Sequence, residues 1–247
     1  MTFGAIIIGD EILSGKRQDK HLARVIAVLN ARGLELAWAE YIGDDPARIT
    51  ATLQRSFATD HIVFSFGGIG ATPDDRTRPC AAAAAGVRLT RHPEAVAEIE
   101  KRFGAEAYPK RILMAEFPEG AKAIPNPFNR IPGFSWGGHY FLPGFPEMAW
   151  PMLEWVLDTQ YPHLHHRVPQ SEEIIVVAAM PESDIIDAMN AVLVRFDSVK
   201  VSSLPRFTPD GREVELSVRG NPGQVPAGMA MIKEAVMSLG YAFVSKG

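Results

Sequence analysis

Three pairs of adjacent carboxylates punctuate the first third of this 247-residue chain: Asp10-Glu11, Asp44-Asp45 and Asp74-Asp75. The third follows Gly67-Gly68-Ile69-Gly70, a glycine-rich turn at the end of the apolar run Ile62–Phe66. Glycines at a strand end let backbone N–H groups approach a ligand closely, and phosphate is the usual ligand of such a loop. Carboxylates beside that loop repel a phosphate unless a cation lies between them. Two carboxylates about 4 Å apart repel by roughly 1 kcal/mol in water and about 4 kcal/mol at intermediate dielectric. A divalent ion, Mg or Mn, held by one or two carboxylates plus substrate phosphates resolves the conflict. One member of each pair (Asp10, Asp44 and Asp74) is therefore the expected metal set.

A carboxylate pair after a strand is also an ordinary turn or helix cap. Asp45 precedes Pro46 and suits that role, which makes Asp44 the better ligand of its pair. The loop N–H groups of Gly67, Gly68, Ile69 and Gly70 would hold phosphate charge. Thr77 is either a ligand contact or the N-cap of the next helix. Pro143-Gly144, at another strand end, lines the same rim or makes a plain strand-to-helix turn. No G-x-G-x-x-G follows the first strand and no G-K-[ST] follows a glycine run, so neither a dinucleotide Rossmann site nor a P-loop is supported. Cys80 reads as a small packing residue, Trp136, Trp150 and Trp155 as packing, and His163, His165 and His166 as part of a solvated linker over residues 160–169.

The pairs meet only if the strands that precede them lie side by side. Residues 5–8 form an apolar run, and Leu22, Val25, Ile26 and Leu29 predict an amphipathic helix stopped by Gly33. Residues 34–42 predict a second strand, Ile49, Leu53 and Phe57 a second helix, residues 62–66 a third strand, and residues 80–85 an alanine-rich helix stopped by Gly86. Strand and helix alternate three times, the pattern of an α/β fold with an open, mostly parallel sheet and helices on both faces. The carboxyl ends of such strands share one ligand-binding edge. A helix over residues 92–103, short extended pieces among the prolines at 118, 125 and 127, a strand over His139–Leu142, and a helix bearing Met148, Met152, Trp155 and Val156 complete a first domain, residues 1–168. Pro151 either kinks or begins that last helix.

Residues 169–247 predict a second, small domain. Its strands cover residues 172–179, 199–204, 213–219 and 241–244, with a turn at Pro209-Asp210-Gly211. Its helices cover residues 183–196, with Ile185, Ile186, Met189 and Leu193 as the buried stripe, and residues 228–239. The order βαββαβ is that of a ferredoxin-like α+β domain.

Composition excludes several classes. With 25 Lys and Arg against 29 Asp and Glu, and no concentrated basic stretch, nucleic acid is not the expected partner. No segment reaches the roughly 20 apolar residues of a membrane helix. The single cysteine rules out an internal disulfide framework and suits a reducing cytoplasm, the expected location.

The motifs GDEILSG (9–15), GDD (43–45), GGIGATPDDRT (67–77), PEGAKAIPNP (118–127), IPGF (131–134) and LPGFPEM (142–148) resemble the molybdopterin-binding domain superfamily, in particular the N-terminal domain of the competence/damage-inducible protein A family. The amidase domain of longer members has no counterpart in these residues. The resemblance implies a phosphate-binding glycine loop at Gly67, Gly68 and Gly70, metal-linked Asp44, Asp74 and Asp75, and a homodimer or homotrimer. Ser14, Ile69, Thr72, Thr77, Pro143 and Gly144 complete the expected ligand-binding set. Three activities are implied: pyrophosphate hydrolysis of an ADP-ribose-like nucleotide with Mg, Mn or Co, in which Asp74 or Asp75 would orient the attacking water; adenylyl transfer to molybdopterin in molybdenum cofactor biosynthesis; or molybdopterin or nucleotide binding without turnover. The chain departs from the family pattern at Gly70-Ala71-Thr72, where Gly-Pro-Thr is usual. It also has Pro79 where glutamate is usual and Lys20-His21 where Thr-Asn is common.

Overall fold

The computed structural model describes residues 1–166, 170–209 and 211–246, and the chain divides into two units, Met1–His165 and His166–Gly247. The expected domain boundary after residue 168 and part of the expected linker fall outside the described residues. So does Asp210 of the expected turn.

The first unit runs β1 (Phe3–Ile8), α1 (Asp10–Leu13), α2 (His21–Asn30), β2 (Leu36–Ile42), α3 (Pro46–Phe57), β3 (Ile62–Phe66), α4 (Thr77–Ala85), β4 (Leu89–Arg91), α5 (Pro93–Phe103), β5 (Glu116–Pro118), β6 (Lys122–Ile124), β7 (Gly133–Trp136), β8 (His139–Leu142) and α6 (Pro146–Gln160). Among the described residues its main sheet has the order β2-β1-β3-β8-β7-β6. The first four strands are parallel, and β7 and β6 add an antiparallel edge. Every residue of β1 is buried because helices cover both faces of the sheet. Its alternate residues feed two cores. Phe3, Ala5 and Ile7 pack with α2 and α6, while Ile6 and Ile8 pack with α3, α4 and α5.

The α/β layering is as expected, with local corrections. In α2 the buried stripe is His21, Val25, Val28 and Leu29, while Ile26 is 41% exposed. Helix α6 neither begins at Pro151 nor breaks there. It starts at Pro146, where a missing N–H costs nothing, and contains Pro151. Trp155 lies on its exposed side, and Ala149, Leu153 and Leu157 join Met152 and Val156 in the core. Strands β4, β5 and β7 carry too few residues for an alternation to show in the sequence.

The second unit runs β9 (Ser171–Ala178), α7 (Ile186–Arg195), β10 (Val199–Thr208), β11 (Gly211–Gly220), α8 (Val225–Ser238) and β12 (Phe243–Lys246). Its antiparallel sheet has the order β10-β11-β9-β12, so β9 and β10 run parallel on either side of β11. That is the split βαβ arrangement. Residues Glu182–Ile185 form a 3-10 turn ahead of α7, which shifts the buried stripe. Ile185 and Val192 are buried, whereas Ile186 and Leu193 are about half exposed, at 51% and 48%. No helix among the described residues is long and apolar enough to cross a membrane.

One buried polar contact ties α3 to β8. The Nδ1 of His139 faces the Gly137 carbonyl at 3.0 Å and so carries the proton, which leaves Nε2 to accept from Ser56 Oγ at 2.6 Å. Burial drives the His139 pKa from 6.5 down to about 4. As pH falls, the unfolded chain takes up this proton first. Stability is therefore lost between pH 6.5 and about 4. Chemical denaturation across that range should show the decline, and His139→Gln should be less stable at pH 7 with a flatter slope. An unchanged slope in the variant would assign the decline to other groups.

Candidate functional site

A cavity of about 430 Å³ opens where β1, β3 and β8 end, within the size range of small-molecule sites. Gly67, Gly68, Ile69, Gly70, Thr72, Asp74, Asp75, Asp44, Pro143 and Gly144 all line it. Two expected ligand residues lie elsewhere. Ser14 is an exposed residue closing α1, its N–H bonded to Asp10 O at 2.8 Å. Thr77 is fully buried and is the first residue of α4, not its N-cap. Its hydroxyl donates to Gly67 O at 2.9 Å, and its N–H donates to Gly68 O at 2.9 Å. Thr77 thus holds the glycine loop from beneath.

Close packing makes the glycines necessary. Gly67 has φ +102 and Gly68 φ +66, in the region that disfavours side chains. A Cβ on Gly67 would strike the Ile8 carbonyl, and one on Gly68 the Thr77 hydroxyl. The Gly67 N–H belongs to the sheet edge, donating to Leu142 O at 3.0 Å. The N–H groups of Gly68, Ile69, Gly70 and Ala71 donate to no protein acceptor among the described residues. Successive backbone N–H groups left without a protein acceptor have the donor pattern from which anion-binding nests are built.

The carboxylates divide by role. Asp75 is a loop staple: its Oδ2 accepts from Thr72 N at 2.8 Å and Thr72 Oγ1 at 2.6 Å, and its N–H donates to Thr72 O at 3.0 Å. Asp45 caps α3, accepting from Arg48 N at 2.7 Å. Asp10 and Asp44 join the ends of β1 and β2 reciprocally, with N···Oδ distances of 2.9 and 3.2 Å. Asp74 is exposed, and the polar groups of neighbouring Thr72 and of its own backbone hold it below the usual carboxylate range. Partial burial, and then the charges of Asp10, Glu11 and Asp74, raise Asp44. Asp10, Asp44 and Asp74 do not form a ready-made ligand set. Among the described residues no three His, Cys, Asp or Glu side chains are grouped to hold a metal ion.

Several wall residues escaped sequence reasoning. Arg78, 5% exposed, lies behind the loop and donates to the carbonyls of Ile69, Gly70, Leu113 and Glu116, joining the loop to the segment before β5. Burial lowers its pKa. Asn126 and Asn129 are buried in the opposite wall. Asn126 Oδ1 accepts from Phe128 N at 3.0 Å, and Asn129 Oδ1 from Ile131 N at 2.9 Å. Met114, Ile131, Pro132 and Met148 make that wall apolar. Arg17 is the basic side chain of the lining, its guanidinium 5.6 Å from the Phe145 ring centre. An asparagine pair spaced i, i+3 beside prolines was a legible sign of a stapled turn. Nothing local marked Arg78 or Arg17. Cys80 is buried, with its thiol pKa raised by that burial, as a packing residue requires.

Residues 4–166 match the family described as "Probable molybdopterin binding domain". The chain belongs to this family. A CinA-like protein of Syntrophotalea carbinolica is 30% identical over 196 residues, covering 75% of this chain and 47% of its own. A relative in Caldivirga maquilingensis is 31% identical, covering 95% of this chain and 93% of its own. The crystal structure of CinA from Thermoplasma acidophilum, titled as of unknown function, superposes with a TM-score of 0.58 at 29% identity, over 64% of this chain and 96% of that one. The chain spans about half the length of the CinA-like relatives it matches, 47% and 49% in two of them.

Two stability outcomes follow for the first unit. Arg78→Met leaves carbonyls behind the loop without a donor and should destabilise the first unit by about 3 kcal/mol in urea titration. A loss below 1 kcal/mol would show the loop to be held by other contacts. Because the Asp44 pKa is raised, the folded state gains from its protonation, and that contribution is lost as pH rises through the folded value. Asp44→Asn should therefore raise the melting temperature at pH 7 by about 2 °C. The gain should vanish below the ordinary carboxylate pKa of 3.8.

Proposed function

We propose that the cavity binds a phosphate-bearing heterocycle of the molybdopterin type, with phosphate on the Gly68–Ala71 N–H groups and the ring against the wall of Met114, Ile131, Pro132 and Met148. The single observation that carries this reading is the run of four free donors facing an apolar wall across one cavity. Membership of a molybdopterin-binding family supports the ligand class. Arg17 adds a charge-assisted contact to the phosphate. Asp75 is committed to the loop, so its part is to keep the nest in shape.

A second reading, metal-dependent hydrolysis of an ADP-ribose-like pyrophosphate, draws support from Asp44. Partial burial, and then the charges of Asp10, Glu11 and Asp74, raise its carboxyl pKa, a setting that favours a cation arriving with the ligand. A divalent ion held by one or two carboxylates and the ligand's own phosphates needs no complete protein cage.

Calorimetric titration with molybdopterin and with ADP-ribose, each with and without Mg, Mn or Co, tests both readings. Saturable molybdopterin binding, weakened about tenfold in Arg17→Met, is the expected result. Absence of binding by either compound would overturn the phosphate-nest reading. Metal-dependent release of AMP, lost in Asp44→Asn, would establish the hydrolase instead.

A further inference from the structure

A second cavity, of about 260 Å³, adjoins the first and shares Glu11, Arg17, Gly144 and Phe145 with it. His21 lines it, 5% exposed and stacked on Phe66 with ring centres 4.5 Å apart. Its Nε2 lies 3.2 Å from the Gly144 carbonyl. A carbonyl can only accept, so Nε2 carries the proton and Nδ1 presents a lone pair. That Nδ1 is buried and has no hydrogen-bond partner.

The surroundings leave it no relief. The ring is held by its stack and by the Gly144 bond, and its backbone N–H is held by Asp19 Oδ1 at 2.8 Å. Asp19 is spent on local donors, since its Oδ2 accepts from Tyr41 Oη at 2.7 Å and Leu22 N at 3.1 Å. Glu11 and Glu147 also line the cavity and add acceptors. Burial lowers the His21 pKa despite Asp19 and Glu147 nearby, in keeping with a neutral ring. Arg17, Gln18 and Lys20 line the cavity as well, yet none of them bonds Nδ1, so its lone pair is left for a donor from a ligand.

We propose that the smaller cavity is a second subsite of the same binding site, where His21 Nδ1 accepts from an N–H or O–H group at the end of the ligand remote from its phosphate. The subsite rests on the phosphate-nest reading, because the shared residues make the two cavities one elongated site. The donor is either the hydroxyl of a terminal sugar or the amino group of a pterin.

Paired ligands distinguish these sources. ADP-ribose against ADP isolates the terminal sugar, and neopterin monophosphate against inorganic phosphate isolates the pterin. His21→Phe keeps the stack on Phe66 but removes Nδ1, along with the Nε2 bond to Gly144, a loss common to both members of each ligand pair. It should weaken the donor-bearing member of one pair about tenfold and leave the other member unchanged. Imidazole nitrogen-15 NMR of the unaltered protein gives a second readout that needs no variant. The His21 Nδ1 resonance should sit at the unprotonated position and shift only with the donor-bearing ligand. Equal affinities in the variant, or an unmoved Nδ1 signal at saturation, would overturn the subsite while leaving the nest intact. Failure of every ligand to bind the unaltered protein would overturn both.

Discussion

The site depends on a buried guanidinium. Arg78 projects from α4 into the space behind the glycine loop and donates to carbonyls at Ile69 and Gly70 on one side and Leu113 and Glu116 on the other. Among the described residues the Ile69 and Gly70 carbonyls meet no other donor, and leaving them unanswered away from water is costly, whereas Leu113 O also accepts from the Glu116 N–H. By drawing the loop's C=O groups inward, Arg78 leaves the N–H groups of the same peptides to face the cavity. A backbone nest needs that division, because a peptide's donor and acceptor point in opposite directions. Thr77 Oγ1 makes the same kind of contact with Gly67 O, whereas Asp75 Oδ2 accepts from the Thr72 N–H and so closes the far side of the loop.

Sheet topology supplies the rest. Adding β8 parallel to β3 brings Pro143, Gly144 and Phe145 beside Gly67, so the start of α6 forms a wall of the cavity. Strand β1 between β2 and β3 brings Asp10 and Asp44 together, and their reciprocal hydrogen bonds close the rim. The carboxylates are therefore largely part of the frame. Asp44 is the exception, because partial burial first, and the charges of Asp10, Glu11 and Asp74 after it, raise its pKa.

His21 illustrates how a single side chain serves packing and recognition at once. Its ring completes the buried face of α2 and stacks on the last residue of β3. The Gly144 carbonyl then sets the tautomer and thereby the character of Nδ1. Recognition chemistry is in this way imposed by a backbone group far away in sequence.

The alternation of strands and helices, the glycine loop at the end of β3 and the crowding of acidic residues at one sheet edge were legible in the sequence. Each follows from local rules: period-two and period-3.6 hydrophobicity, and the tolerance of glycine for positive φ. The βαββαβ order of the second unit was legible for the same reason. What each carboxylate does was not, because Asp45, Asp75 and Asp74 are chemically alike and differ only in the donors that reach them. Nor could the sequence point to Arg78, Arg17 or His21, whose partners lie on other elements. Local composition determined that a glycine-rich loop and an acidic rim would exist. Only the tertiary structure decided which groups remain free to meet a ligand, since that depends on long-range hydrogen bonds that local patterns do not encode.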